Sequence, residues 1–313
     1  MPDLSDVAAV AGVSKATASR ALNGSGLVAA ETAVRVVAAA ARLGYVPNRA
    51  ARELARGRSG IIAIVVPTLD NTFFTPIIAG AQARAEEAGL QLTVAVHPLD
   101  SAGAFDRLAR QVDGFLVVAP RGSDTLVAGS GAAKPAVLVD REIDGMTSVV
   151  ADTATAFGTL TTRLAAEGHE RIVYVGGPEG SWQDRQRTAA VHDAARRAGA
   201  ELTVLGPCPA TFAAGVEVTS AVLDTGATAV VPYATSIGLG LLLALGTRGV
   251  DVPRDLVVST EPTVIEALGL EHTPAIDVDG EELGRTAMDL LARLLDGQDE
   301  PGRQARLPVP VRG

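Results

Sequence analysis

The chain has 313 residues, 47% of them hydrophobic and 3% aromatic, with a formal net charge of −9. That length and composition exclude a disordered chain and leave room for two or three domains with aliphatic cores. One cysteine, Cys208, excludes an intrachain disulfide and a cysteine zinc site. No basic leader and no 18-residue apolar run is present, so a cytoplasmic protein without a membrane span is expected.

The charge is unevenly placed. Residues 1–60 carry a net +4 and the remainder −13. A basic head on an acidic body suits a nucleic-acid-binding head whose body is repelled by phosphate.

Residues 3–23, DLSDVAAVAGVSKATASRALN, predict two short helices joined by a tight turn. Asp3 is a cap, with Asp6 three residues on in the positive first turn. Leu4, Val7, Ala8 and Ala11 repeat at helical spacing, and Gly12 suits a sharp turn. Ser14 can cap the second helix, whose Ala18 and Leu22 would face the first. Lys15, Ala16, Thr17, Ser19, Arg20 and Asn23 are left outside, with no acid among them. A solvated helix face normally pairs Glu with Lys, whereas this set suits the major groove. Taken alone, a generic helical hairpin remains the alternative.

Residues 31–43 predict a third amphipathic helix, with Val34, Val37 and Ala41 closing a three-helix core and Gly44 ending it. Residues 45–60, YVPNRAARELARGRSG, hold a short helix after Pro47 with Asn48, Arg49, Arg52 and Arg56 around one apolar side chain, Leu54. Arginines of this kind suit phosphates, and a lone leucine can wedge into the minor groove; an ordinary basic linker is the other reading.

VAAVAGVSKATASRALNG, then LGYVPNRAARELARGRSG and IIAIVVPTLDNTFF, resemble the LacI/GalR family of bacterial transcriptional regulators. The likeness runs over essentially the whole chain. It implies a palindromic operator bound by a homodimer, with the second helix reading the major groove. By that resemblance Lys15, Ala16 and Arg20 are readout candidates, Thr17 and Ser19 lie at the phosphates, Ser14 and Asn23 belong to the same DNA-binding set, and Leu54 is levered into the central base step.

From residue 61 short apolar runs alternate with amphipathic helices. Strands are expected at 61–66, 90–96, 114–119, 136–140, 171–177, 202–206, 228–233 and 256–259, and helices at 74–88, 153–167, 184–198, 213–224, 235–248 and 281–295. Continuous apolar strands alternating with helices mean doubly wound parallel sheets buried on both faces. The pattern occurs twice, which implies two lobes and matches the periplasmic-binding-protein-like core of the resembled family. The expected division is a helix-turn-helix head at 1–46, a hinge helix and linker at 47–60, and a core at 61–313. Within the core, lobe 1 takes about 61–153 plus 277–298 and lobe 2 about 154–273 plus 300–313. Three crossings between lobes are expected near 151–156, 271–277 and 296–304.

Ligands in such folds sit beyond the carboxyl ends of the strands. PTLDNTFF, after the first strand, offers Asp70, Asn71, Phe73 and Phe74; adjacent rings can stack a flat ligand, or one can be core. Asp140 with Arg141, and Asp152, match positions near the ligand in the resembled family, Asp152 being also a possible helix cap. Arg187 aligns with the family's effector-binding arginine, although Ala190 and Val191 replace the usual Gly-Phe after it. Trp182 and Arg185 lie about one turn away and are expected to share its work. In the second lobe Ala234 and Thr235 stand where the family has Asn-Asp, and Thr260, Glu261, Pro262 and Thr263 where it has Gly-Phe-Asp-Asp. A site built for hydroxyls loses several kcal/mol of discrimination when such partners go. The effector is therefore expected to be atypical for a free sugar, or sensing to have been lost, with Glu261 a possible substitute acid.

No catalytic constellation, metal set or cofactor motif is apparent, and His97, His169, His192 and His272 are scattered singly. A solute-binding protein would suit the lobes but not the basic head. A third reading keeps the DNA head and makes the body a dimerisation module.

Overall fold

The computed structural model describes residues 2–22, 27–45, 58–97, 102–130, 134–270 and 272–313. The chain forms two compact units, Met1–Ser59 and Gly60–Gly313.

In the first unit α1 (Leu4–Ala11), α2 (Lys15–Leu22) and α3 (Ala30–Leu43) enclose a small core. Asp3 and Asp6 close a capping box at the start of α1, the Asp6 carboxylate accepting from the Asp3 N–H at 2.8 Å. The N–H groups of Ser5 and Asp6 hold the Asp3 carboxyl below its ordinary value. Gly12 ends α1 at φ 66°, ψ 38°, a left-handed turn that favours glycine. Ser14 caps α2 by accepting from the Thr17 N–H at 3.1 Å.

The core face of α3 differs from expectation. Val36, Ala39 and Ala40 are buried, whereas Val34 is 69% exposed, Val37 54% exposed and Ala41 exposed. Residues 36–41 are apolar without interruption, so period alone cannot choose a face. α1 and α2 offer mostly alanines at the seam, and small residues on α3 meet them at close approach.

The second unit begins with β1 (Ile61–Val66), α4 (Phe74–Glu87), β2 (Gln91–Val96), α5 (Ala102–Ala109), β3 (Gly114–Val118), α6 (Asp124–Ser130), β4 (Ala136–Val139) and β5 (Thr147–Ala151). The chain then crosses into α7 (Thr153–Ala166), β6 (Arg171–Val175), α8 (Trp182–Ala198), β7 (Glu201–Leu205), α9 (Phe212–Asp224), β8 (Ala229–Pro232), α10 (Thr235–Thr247), β9 (Val257–Val258), α11 (Pro262–Leu268) and β10 (Ala275–Ile276). It ends with α12 (Gly280–Leu295), β11 (Gln304–Leu307) and β12 (Val311–Arg312).

Both main sheets are parallel. Lobe 1 runs β2-β1-β3-β4-β5-β11 and lobe 2 runs β7-β6-β8-β9. Ile62, Ile64 and Val66 pack on one face of β1 with Ile77, Met288 and Leu291, while Ala63 and Val65 pack on the other with Phe105 and Phe115. Burial on both faces explains the unbroken apolar runs. α4 and α12 cross at backbone contact: a Cβ on Gly284 would lie 2.0 Å from the Ile77 carbonyl oxygen, so only glycine fits.

The third crossing falls later than expected. Gln304–Leu307 lies parallel to β5 in lobe 1, and the chain returns to lobe 2 only at 308–310, where β12 pairs antiparallel with β10. Of the tail 300–313 assigned to lobe 2, β11 therefore belongs to lobe 1. The short sequence QARL at a half-buried edge carries no core signature. α5, α6, α11, β5 and the short strands β10 to β12 are likewise not among the expected elements.

Candidate functional site

Two surfaces carry chemistry. The first is the outer face of α2. Lys15, Ala16 and Arg20 are exposed, Thr17 and Ser19 half-buried, and Ala18 and Ala21 buried against the other helices. The Ser14 and Thr17 hydroxyls hydrogen-bond each other at 2.8 Å, so the helix cap and one phosphate candidate form a polar pair at the helix start. A helix N-terminus with hydroxyls beside it favours anions. Asn23, Asn48, Arg49, Arg52 and Leu54 lie outside the described residues.

The second is the cleft between the lobes. Each sheet reverses its strand order at its first strand, β2-β1-β3 in lobe 1 and β7-β6-β8 in lobe 2. Loops diverge at such switch points and leave a crevice. Asn71, Phe73 and Phe74 after β1, Ala119 after β3 and Asp140 after β4 line it from lobe 1; Gln183 and Arg187 of α8, Tyr233 after β8 and Thr260 and Glu261 after β9 line it from lobe 2.

Arg187 is buried and doubly held. Its Nε donates to Thr153 Oγ1 at 3.0 Å and an Nη to the Tyr233 carbonyl at 2.7 Å. Its guanidinium lies between two rings, 4.8 Å from Phe157 and 4.6 Å from Tyr233. Asp140 adopts a left-handed backbone at φ 57° and accepts from the Ala151 N–H at 3.1 Å. Burial pushes its carboxyl above the ordinary value, while the Arg187 charge, the Ala151 N–H and the neighbouring Gln183 side chain pull it back.

The other expected positions divide. Phe74 belongs to the lobe 1 core as well as lining the cleft; Phe73 is half-buried beside it, the ring centroids 6.0 Å apart. Asp70 lies at the mouth, its carboxylate accepting from Thr68 Oγ1 at 3.1 Å. Asp152 caps α7 through the Thr155 N–H at 3.4 Å and is not among the cleft-lining residues. Trp182 and Arg185 do not line the cleft either: Arg185 is exposed and turns back to the Ser181 carbonyl at 3.3 Å. Arg141 is buried in lobe 1, where it donates to Pro120 O, Gly122 O and Asp124 Oδ1.

Gln183, Thr153, Phe157 and Tyr233 were missed. Gln183 precedes Arg187 by four residues and so shares its helix face, and Tyr233 directly follows a strand; both signals stood in the sequence. On the lobe 2 wall Thr235 donates to Glu261 Oε1 at 2.6 Å, so the two departures from the family pattern satisfy each other. Thr260 Oγ1 is buried without a hydrogen-bond partner, and Gln183 Nε2, whose influence reaches the Asp140 carboxyl, makes no hydrogen bond of ordinary length and angle. Among the described residues no group of three or more His, Cys, Asp or Glu could hold a metal ion, and no helix is long and apolar enough to cross a membrane.

Comparison with known proteins covers both surfaces. Residues 3–48 match the family described as bacterial regulatory proteins, lacI family, and residues 161–313 match a periplasmic binding protein-like domain. The chain is 30% identical to the HTH-type transcriptional regulator CelR of Thermobifida fusca, over 96% of this chain and 94% of that protein. It is 29% identical to the lactose operon repressor of Escherichia coli (strain K12), over 98% of this chain and 88% of that protein. Among solved structures it resembles the lac repressor dimer bound to operator and the anti-inducer ONPF, with a TM-score of 0.84 at 27% identity, covering 100% of this chain and 98% of that one. The CelR–cellobiose complex gives 0.73 at 27% identity, covering 100% and 99%.

Proposed function

The chain belongs to the LacI family of bacterial regulatory proteins, and from that premise we propose that it is a repressor that binds a palindromic operator as a homodimer, with affinity set by a small molecule in the interlobe cleft. The observation that carries DNA binding is the face of α2: exposed Lys15, Ala16 and Arg20 on a helix fixed by the Ser14 cap, with no carboxylate among its residues. Lys15 and Arg20 reach guanine or phosphate, Ala16 packs on a thymine methyl, and the Ser14, Thr17 and Ser19 hydroxyls and Asn23 complete the contact. Asn48, Arg49 and Arg52 take phosphates beside the Leu54 wedge. Operator binding places this work in the cytoplasm.

Asp140 and Arg187 are the polar poles of the cleft, one from each lobe, with Asp70, Phe73 and Phe74 along its lobe 1 wall. Asp152 acts on the cleft through the start of α7. Regulation is linkage: an effector that prefers one lobe arrangement shifts operator affinity by its coupling energy, typically about 1–3 kcal/mol. Selecting bound sites from random duplex DNA with the full-length protein tests the reading. A two-fold palindrome is expected; weak, sequence-blind binding with strong salt dependence would sink it. Leu54→Ala should weaken specific binding and reduce operator bending, and an unchanged bend removes the wedge.

A further inference from the structure

We infer that Tyr233 closes the inner part of the interlobe cleft, so that the effector seat is the outer part; this rests on the effector reading above. The cleft is two chambers that share Asn71, Phe74, Ala119 and Tyr233. The inner one, holding Arg187 and Asp140, has a volume of about 80 Å³, and the outer one about 450 Å³. An apolar cavity of about 150 Å³ is known to take up benzene, and the inner chamber is about half that size. The outer chamber falls within the range of roughly 300–1,000 Å³ usual for ligand sites.

Tyr233 is built into its place from four directions. Its N–H donates to the Val175 carbonyl at 2.8 Å, and its own carbonyl accepts from Arg187 at 2.7 Å. Its ring stacks on the Arg187 guanidinium, and its hydroxyl lies 3.1 Å from Ser181 Oγ. The fourth side is Gly177: a Cβ there would lie 2.7 Å from the ring. Gly177 is itself fixed, its N–H donating to Asp184 Oδ1 at 2.7 Å, an oxygen that also accepts from the Tyr174 hydroxyl at 2.8 Å.

Much of the polar lining of the inner chamber is already engaged within the protein. Arg187 is bonded to Thr153 and Tyr233, and Thr235 to Glu261. The remaining partners, Gln183 Nε2 and Thr260 Oγ1, suit ordered water, for which about 30 Å³ per molecule suffices. Arg187 here serves as a positioning residue that holds the Tyr233 plug. The outer chamber offers Asp70, Arg121, Glu179 and Thr211 beside half-buried Cys208, with four prolines supplying apolar faces. Two carboxylates against one guanidinium disfavour an anion, so the ligand class is an uncharged hydroxylated compound, larger than the inner chamber admits.

Thiol labelling of the full-length protein tests this without a known effector. Thr260→Cys in a Cys208→Ser background places one thiol in the inner chamber, probed with the cationic methanethiosulfonate MTSET. Adding Tyr233→Leu should raise its labelling rate by at least about tenfold, while Tyr233→Phe, which keeps the ring, should leave it within about twofold. Equal labelling rates with and without the Tyr233→Leu substitution overturn the inference. So does a sugar (glucose, galactose, cellobiose or lactose as probes) that protects Thr260→Cys while leaving native Cys208 unprotected in the parent chain. If no probe shifts operator affinity, the effector reading suffers, and the labelling ratio still decides the plug.

Discussion

Replacing Arg187 with methionine removes the central cation of the cleft and keeps most of its stem volume. Two charge-assisted hydrogen bonds go, at 3.0 and 2.7 Å, together with contacts to two rings. Hydrogen bonds to charged groups contribute about 1.5–3 kcal/mol each and a desolvated cation–π contact about 2 kcal/mol. These do not add, because one guanidinium is desolvated once for all of them; a net loss of about 3–5 kcal/mol is expected, the range for breaking a buried polar pair. Urea unfolding followed by the fluorescence of Trp182, the only tryptophan, reads it. With m near 1–3 kcal/mol/M the midpoint should fall by roughly 1 M or more at unchanged m. A loss below about 1 kcal/mol would show that Arg187 is not the hub described.

Asp140→Asn should remove a pH slope. A carboxyl whose folded pKa is raised binds its proton more tightly when folded, so its contribution is full below the unfolded value near 4 and is lost as pH rises through the folded value; parent and variant curves that run parallel over that window contradict this. Gly177→Ala should displace the Tyr233 ring and cost about 1–3 kcal/mol by overpacking, and a crystal structure with the ring unmoved would refute it. Ser14→Ala should cost about 1 kcal/mol of helix stability through loss of the cap and weaken operator binding in gel-shift titrations. Arg20→Ala should either flatten the salt dependence of operator affinity by about 0.9 in log–log slope or relax one base position, and neither change would remove Arg20 from the interface.

The parts of the fold that announced themselves were those with one physical solution. A capping box, a left-handed glycine and a second cap leave the start of the chain little choice but helix, turn and helix. Continuous apolar runs such as Ile61–Val66 can be buried only in a two-sided sheet. Where several solutions were compatible with the composition, the sequence was silent. α3 offers apolar residues on more than one face, and only packing against the alanines of its neighbours selected Val36, Ala39 and Ala40. β11 is a half-buried edge strand of mixed residues, stabilised by pairing with β5 and not by its own pattern. In the cleft, strand ends pointed to Asp140 and Phe73, and the family resemblance pointed to Arg187. What fills the space around Arg187 depends on which rings converge from separate elements, and no local pattern encodes the meeting of Phe157 with Tyr233.

The three crossings tie the two lobes together along one strip. Their backbones are bonded to one another: the Asp152 N–H donates to the Leu307 carbonyl at 2.8 Å, and the Asp277 N–H to the Pro310 carbonyl at 3.0 Å. The first continues the edge pairing of β5 with β11 and the second adjoins the pairing of β10 with β12, so a hinge closure about this strip would leave the inner strands of both sheets untouched. Asp140 and Arg187 stand on opposite sides of the strip, Asp140 beyond β4 and Arg187 in the second turn of α8. Their mutual attraction therefore acts on the lobe angle and on neither lobe alone. Asp152 sits on the strip itself and caps the helix that leads into lobe 2, without a place in the cleft. A ligand between the lobes needs only to favour one angle over another to be felt, because the energy it must supply is the difference between two hinge positions and not the cost of remaking a core.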